Sequence, residues 1–396
     1  MNIDRVKLKI LGSTSLLTLF KMLVGLVVSK IVAIHLGPAG IAIIGQYQNF
    51  LQSLNGIVNS PVSTGIVALT SKHRCEHESV YSAWWKAGLH ISLAVFAIIL
   101  MVVFVFATDI SKYLFGGVEY LWVIYISCLL LPLTSMGTLC VSVLNAREEY
   151  NKYFKLNFIS IGMSAFFTIL LIYIWNIEGA LIALSLQFPL VFIAFSIFYN
   201  KLNWFKFTNF FGKISKEKYK DIRKYIFMAI FSALTMPLAL VIIRNLILEN
   251  FGAEVAGYWQ SVWKLSEVYL SVITIALGTY FLPKISRLRN FSEIIKEIKG
   301  LLILVLPLLV ILSFMIFFLK DYIILLLYTE EFLPAGELLK YQLVGDFFKI
   351  FSWILAYPMI AQANVKWFVI TQALFTIIFV VISYFLVPLY LSLIHI

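Results

Sequence analysis

The sequence predicts an all-α polytopic membrane protein of two six-helix bundles related by a parallel repeat, with the twelfth helix missing. Three observations predict it. Apolar residues make up 61% of the 396-residue chain and charged residues only 13%, with a mean hydropathy of +0.94. An ordinary soluble domain carries roughly 25% charged residues, so this share cannot cover a 45.2 kDa globule facing water. Next, eleven stretches approach or exceed the roughly 20 apolar residues that cross the hydrocarbon of a bilayer. Last, one pattern of cation, glycine turn and glutamine occurs in both halves of the chain. A water-soluble enzyme, a disordered chain and a disulfide scaffold are excluded, the last because only Cys75, Cys128 and Cys140 are present.

The chain opens with Arg5, Lys7 and Lys9 before a long apolar run without a small-residue cleavage site, which reads as a retained first span. The expected spans are Ile10–His35, Ile41–Thr70, Ala87–Ala107, Leu121–Leu144, Phe154–Trp175 and Ala180–Tyr199, then Tyr225–Leu248, Ala256–Leu282, Leu301–Leu319, Ala335–Ile360 and Trp367–Val387. Ile323–Leu327 is too short to span and is placed at the interface. The division is an N-terminal bundle at 1–199, a basic cytoplasmic linker at 200–224 and a C-terminal bundle at 225–396.

Charge sets the orientation. With the N-terminus cytoplasmic, the lysines and arginines outside the spans fall on the cytoplasmic side except Lys112 and Lys320, as the positive-inside rule requires. The net charge of +11 is therefore read as topology and not as nucleic-acid binding. Lys30 precedes the turn Leu36-Gly37-Pro38-Ala39-Gly40, which Gln46 follows; Arg244 precedes Phe251-Gly252-Ala253-Glu254, which Gln260 follows. Six helices separate the two copies, so both run the same way across the membrane: a parallel repeat. An even repeat needs twelve spans. The chain ends on Leu391-Ser392-Leu393-Ile394-His395-Ile396, the translation of a common transposon-end sequencing adapter, so the natural chain is expected to continue.

There is no G-x-x-x-x-G-K-[ST], no H-E-x-x-H and no C-x-x-C. No catalytic residue, metal or cofactor is expected. His73, Cys75 and His77, beside Lys72 and Arg74, read as a solvated turn. The informative residues are charges within spans, each costing about 2.5–3.5 kcal/mol at a helix centre. Lys21 lies near the middle of span one without an acidic neighbour at helical spacing, and is the best single candidate for an anion contact. Asp346/Lys349 and Lys264/Glu267 stand at i,i+3 and are expected either to line a wet cavity or to neutralise each other. Lys30, Arg244 and the Glu337/Lys340 pair either face that cavity or snorkel outward. Span two carries Gln46, Gln48, Asn49, Gln52 and Asn55, suited to carbohydrate hydroxyls or to interhelical hydrogen bonds. Pro132, Pro189, Pro237, Pro307 and Pro358 interrupt spans, which membrane helices tolerate.

Several stretches, in order and spacing, carry a resemblance: Phe20-Lys21 through Lys30, Leu36-Gly37-Pro38-Ala39-Gly40, Thr235-Met236-Pro237 through Arg244, and Trp259-Gln260. Tyr280-Phe281-Leu282-Pro283, Ser286-Arg287-Leu288 and Gln342-Leu343-Val344-Gly345-Asp346 with Lys349 complete the set. Over nearly its whole length the chain resembles the O-antigen flippases (Wzx-type translocases), most closely the lipid III flippase branch of the multidrug/oligosaccharidyl-lipid/polysaccharide (MOP) exporter superfamily. The resemblance implies a MATE-like fold in the bacterial inner membrane. It also implies translocation of an undecaprenyl-pyrophosphate-linked oligosaccharide, an O-antigen unit or lipid III, to the periplasmic leaflet for lipopolysaccharide or enterobacterial common antigen.

On this reading the protein is no enzyme and works by alternating access. The substrate-binding residues are Lys21, Lys30, Arg244, Lys349, Gln46, Asn49 and Gln260; Asp346 and Glu267 are coupling candidates, for a proton or sodium. Lys264 matches no position of the family. Expected partners are the lipid-linked oligosaccharide, membrane lipids, and the polymerase and chain-length regulator of the same pathway, with no nucleic acid. Two rival readings are a MATE-like multidrug or cation antiporter, against which the excess of buried cations argues, and a membrane-embedded glycan polymerase, against which the short outer loops argue.

Overall fold

The computed structural model describes residues 3–73, 76–212, 214–277, 281, 284–285, 288, 290–361 and 365–390. Every α-helix or 3₁₀ turn among them is helical and no strand is present among the described residues. The α-helices are α1 (Ile3–Asn59), α2 (Thr64–Lys72), α3 (Glu78–Phe115), α4 (Leu121–Leu129), α5 (Leu131–Ala146) and α6 (Tyr150–Gln187). They continue as α7 (Pro189–Tyr199), α8 (Lys216–Ala276), α9 (Phe291–Phe318), α10 (Lys320–Leu327), α11 (Ala335–Ala361) and α12 (Val365–Tyr390). Six described helices are long and apolar enough to cross a membrane, or seven when the bent pair α4/α5 counts as one span.

The two longest of those six cannot be single spans. α1 has 57 residues and α8 has 61, roughly 85–90 Å at 1.5 Å per residue against a hydrocarbon core of about 30 Å. Each breaks at the glycine of its turn. Gly37 has φ 60 and ψ −169, and Gly252 has φ 85 and ψ 177, a region essentially restricted to glycine. The two copies of the repeat therefore share their backbone break as well as their sequence pattern. Past Gly252 the chain folds back, so that Arg244 donates to Gln260, sixteen residues on.

The remaining breaks follow the sequence as closely. α6 is interrupted at Trp175 and Asn176 (φ 47, ψ −122), where spans five and six were expected to part. Pro132 and Pro189 start α5 and α7, since a missing N–H costs nothing in a first helical turn. α4 and α5 meet at 43°. Pro237, Pro307 and Pro358 instead lie inside helices. Pro283 and Arg287 of the second span exit, Arg74, Cys75 and the terminal residues 391–396 lie outside the described residues.

By packing, the chain forms two compact units: residues 1–28 with 46–241, and residues 29–45 with 242–396. The first has an aromatic core of Trp85, Trp204, Phe195 and Phe210. Trp85 and Trp204 are 5.7 Å apart edge-on, and the Trp85 indole donates to Thr70 Oγ1 at 2.9 Å. Trp204 and Phe210 come from the basic segment 200–224, so that segment is anchored in this core. A second cluster joins Leu54 and Val58 of α1 to Val103, Ile124, Leu131 and Val241. Gly56 permits α1 to approach α8, where an added Cβ would stand 2.3 Å from Ala233 Cβ.

The second unit packs Ala42 against Ile243, Ile247, Val255 and Ala256. Gly257 sits against the backbone of Pro38, leaving 2.0 Å from a Cβ to the Pro38 carbonyl oxygen. Only glycine lets the turn of the first copy lie on the second. Leu270, Ile273, Leu309, Ile350 and Ile354 form a further core. Large apolar side chains point outward along many helices, among them Phe104 at 78% and Phe318 at 76% exposure. That much bare hydrocarbon belongs against lipid rather than water.

Candidate functional site

The candidate residues are best taken unit by unit. In the first unit, Lys21 is exposed on α1, one residue beyond Phe20, whose ring lies 5.0 Å from Phe158 of α6. No carboxylate pairs with it among the described residues. Gln46 and Asn49 are both buried. Gln46 donates to the Val241 carbonyl at 3.4 Å.

The rest of the amide stripe is largely engaged within the protein. Asn55 donates to Leu51 O at 2.8 Å. Asn59 donates to Thr134 Oγ1 at 3.3 Å and accepts from Ser135 at 2.7 Å. Of the two roles open to these amides, hydrogen bonding inside the helix packing is the one seen for Gln46, Asn55 and Asn59. Gln52 is exposed.

The second unit gathers most of the ionisable candidates. Arg244 is fully buried, donates to Gln260 Oε1 and lies 5.4 Å from the Trp259 ring centre. Trp259 and Trp263, one turn apart, have centroids 5.6 Å apart. Trp263 then carries the Lys349 ammonium 4.4 Å from its centroid, and Trp353 carries it at 5.2 Å. Arg244, Trp259, Trp263, Lys349 and Trp353 thus form a continuous ladder of cations and indoles. Indole faces attract such cations by about 0.5–2 kcal/mol.

The carboxylates are arranged otherwise than by helical neighbour pairing. Asp346 is fully buried and accepts from Ser266, Tyr269 and Gln342, the last at 2.9 Å. Glu267 is exposed and accepts from the Trp263 indole at 2.9 Å. Neither i,i+3 pair forms an ion pair among the described residues. Each carboxylate is held by neutral donors from side chains other than its i,i+3 lysine.

Lys30 has a different setting. Its ammonium donates to the carbonyls of Leu325, at 2.6 Å, and Tyr328, where α10 ends. Carbonyls at a helix C-terminus lack intrahelical partners and attract a cation. The Tyr328 hydroxyl donates to Ser261 O at 3.1 Å, so the segment after α10 is held by α1 and α8 together. Glu337 bridges Lys320 and Lys340, each at 3.0 Å, on an exposed edge.

Trp263, Trp353, Ser266 and Tyr269 were not among the expected site residues. Their signal is local: Trp259/Trp263 and Lys349/Trp353 are i,i+4 pairs, which face each other on a helix. Among the described residues no group of three or more His, Cys, Asp or Glu is placed to hold a metal.

The family described as "polysaccharide biosynthesis protein" matches residues 8–289. Lipid III flippases of Escherichia coli (strain K12) and Shigella flexneri are each 26% identical over 381 residues, covering 95% of this chain and 90% of theirs. An inward-facing multidrug resistance MATE family transporter of the MOP superfamily superposes with a TM-score of 0.67. It is 14% identical, over 92% of this chain and 84% of that one. A MATE solved in complex with MaD3S gives a TM-score of 0.62 at 15% identity, over 95% and 85%. The fold is that of MATE transporters, and the relatives support a flippase or transporter role and not an enzymatic one. With well over half of its length matched, this multi-span membrane chain belongs to the polysaccharide biosynthesis protein family.

Proposed function

We propose that the protein flips an undecaprenyl-pyrophosphate-linked oligosaccharide, an O-antigen unit or lipid III, from the cytoplasmic to the periplasmic leaflet by alternating access. The observation that carries this reading is the cation–indole ladder of the second unit. It holds two positive side chains within spanning helices, and Lys349 has no ion-paired carboxylate among the described residues. An anionic head group is the natural complement to such charges, because lysine and arginine give charge-assisted hydrogen bonds to phosphate. The lipid III flippase relatives support the same cargo class.

On this reading Arg244 and Lys349 meet the pyrophosphate, with Gln260 orienting Arg244. Lys21 is a further cationic contact on the first unit. Gln46 and Asn49, both buried in this conformation, are proposed for sugar contacts made in another state of the alternating-access cycle, and Asp346 and Glu267 for proton or sodium coupling. Lys30 is assigned to the end of α10 instead of the cargo. The setting is the bacterial inner membrane with the N-terminus cytoplasmic, bundles at 1–199 and 225–396 joined by 200–224, and the polymerase and chain-length regulator of the pathway as neighbours.

The test is restoration of surface glycan in a bacterium lacking its own flippase. The wild-type gene should restore it, and Arg244→Ala and Lys21→Ala, expressed at wild-type levels, should not. Full glycan from both variants overturns the cationic-site reading.

A further inference from the structure

We propose that Trp263 and Trp353 are positioning residues that hold the Lys349 ammonium out of direct pairing with a carboxylate and so available to an anionic lipid head group. Ser266, Tyr269 and Gln342 serve the same end by engaging Asp346, which would otherwise bind the ammonium directly. The inference rests on the head-group reading above and adds the means by which the cation is kept available.

Asp346 and Lys349 stand one turn apart on α11, and an ammonium within a spanning helix would gain most from that carboxylate. Both oxygens of Asp346 are instead taken by neutral donors: Oδ2 by Ser266 and Tyr269, Oδ1 by Gln342. Lys349 lies over two indoles. The difference is chemical. A directly paired carboxylate would occupy the ammonium N–H donors, whereas a ring face holds the cation through its quadrupole and leaves those donors open, with Asp346 and Glu267 acting on it only through space. The ammonium stays fixed yet able to attract a phosphate.

The platform itself is rigid. The Trp263 indole N–H is tied to Glu267, Trp259 lies 5.6 Å from it, and Phe379 stacks at 6.2 Å. Trp263 is buried, with its N–H tied to Glu267 and its ring beside Phe379 and the Lys349 ammonium, so its influence on cargo passes through Lys349. Trp353, one turn beyond Lys349 on α11, limits where the lysine stem can swing.

Calorimetric binding of farnesyl pyrophosphate to the full chain in phosphatidylcholine nanodiscs tests this, with farnesol as the uncharged control. Lys349→Gln should weaken pyrophosphate binding about tenfold, and Trp263→Leu by about fivefold, without changing farnesol binding. Trp263→Phe and Lys349→Arg, which keep a ring face and a stackable cation, should retain most of the affinity. The double variant Trp263→Leu/Lys349→Gln should be no weaker than Lys349→Gln alone. An unchanged affinity in Lys349→Gln overturns the head-group reading at this residue, and the inference with it. A weakened Lys349→Gln beside an unaffected Trp263→Leu, or a double variant weaker than both, overturns the positioning role alone. If Trp263→Leu does not fold, Trp263→Phe decides: a loss as large as that of Lys349→Gln counts against the inference.

Discussion

Arg244 donates a hydrogen bond to Gln260, sixteen residues further along the chain, across the turn at Gly252. The contact closes a helical hairpin in the second unit and fixes the guanidinium beside Trp259. Replacing Gln260 with Ala removes one acceptor of a buried charge, which costs roughly 1.5–3 kcal/mol. Gln260→Ala should lower the thermal transition in detergent, and Gln260→Glu should restore it in part by offering a carboxylate.

Lysine should not substitute for Arg244. A guanidinium presents a planar fork that bonds Gln260 while lying beside an indole, and an ammonium is a point charge without that fork. Arg244→Lys is expected to fail in glycan complementation almost as completely as Arg244→Ala. Complementation at wild-type level would show that charge alone suffices there.

Gly252 has open space around the position of a Cβ, yet its φ of 85 is unfavourable for any side chain. Gly252→Ala should therefore destabilise through the backbone, by about 1–3 kcal/mol. Gly37→Ala meets only Glu331 Oε2, 3.3 Å away at the movable end of an exposed side chain, so it should cost about the same as Gly252→Ala. Melting curves of both variants, and of Gly37→Ala/Glu331→Ala, separate the backbone cost from the contact.

Lys30→Met keeps the apolar stem and removes the cap on Leu325 and Tyr328. Hydrogen exchange over 319–329 should accelerate by about tenfold or more, as the loss of a charged hydrogen bond allows. Pyrophosphate affinity should stay unchanged. The opposite pattern, lost affinity with unaltered exchange, would return Lys30 to the cargo site.

Between spans four and five, partial burial works against ionisation of Glu149, but hydrogen bonds from Lys152 at 2.6 Å and Arg147 at 2.9 Å outweigh it. The carboxyl is held below the ordinary glutamate range. Such a depressed group stabilises the fold fully above its unfolded value, and the contribution drains away as pH falls through the folded one. Protection factors at 146–153, which allow for the intrinsic slowing of exchange in acid, should fall on acidification beneath the usual carboxylate range, and Glu149→Gln should abolish that response.

Much of the fold was legible because bilayer physics is demanding of sequence. The paired turns at Gly37 and Gly252, the break at Trp175–Asn176 and the helix starts at Pro132 and Pro189 all follow from residues that tolerate those backbones. The candidate site was legible only in its charges. Helical spacing brought Asp346 near Lys349 but could not reveal that Ser266 and Tyr269, on another helix, would engage the carboxylate first. Nor could a run of amides disclose its partners: Asn59 meets Thr134 and Ser135 of α5, distant in sequence.

The burial of Trp204 and Phe210 with Trp85 and Phe195 bears on how the polypeptide can be cut. A fragment stopping at Tyr199 would leave Trp85 and Phe195 uncovered and should precipitate or recruit chaperones. One continued through Ile222, which lines the same core, would keep them covered. Co-expressed halves should consequently reassemble only when the cleavage point lies beyond that residue.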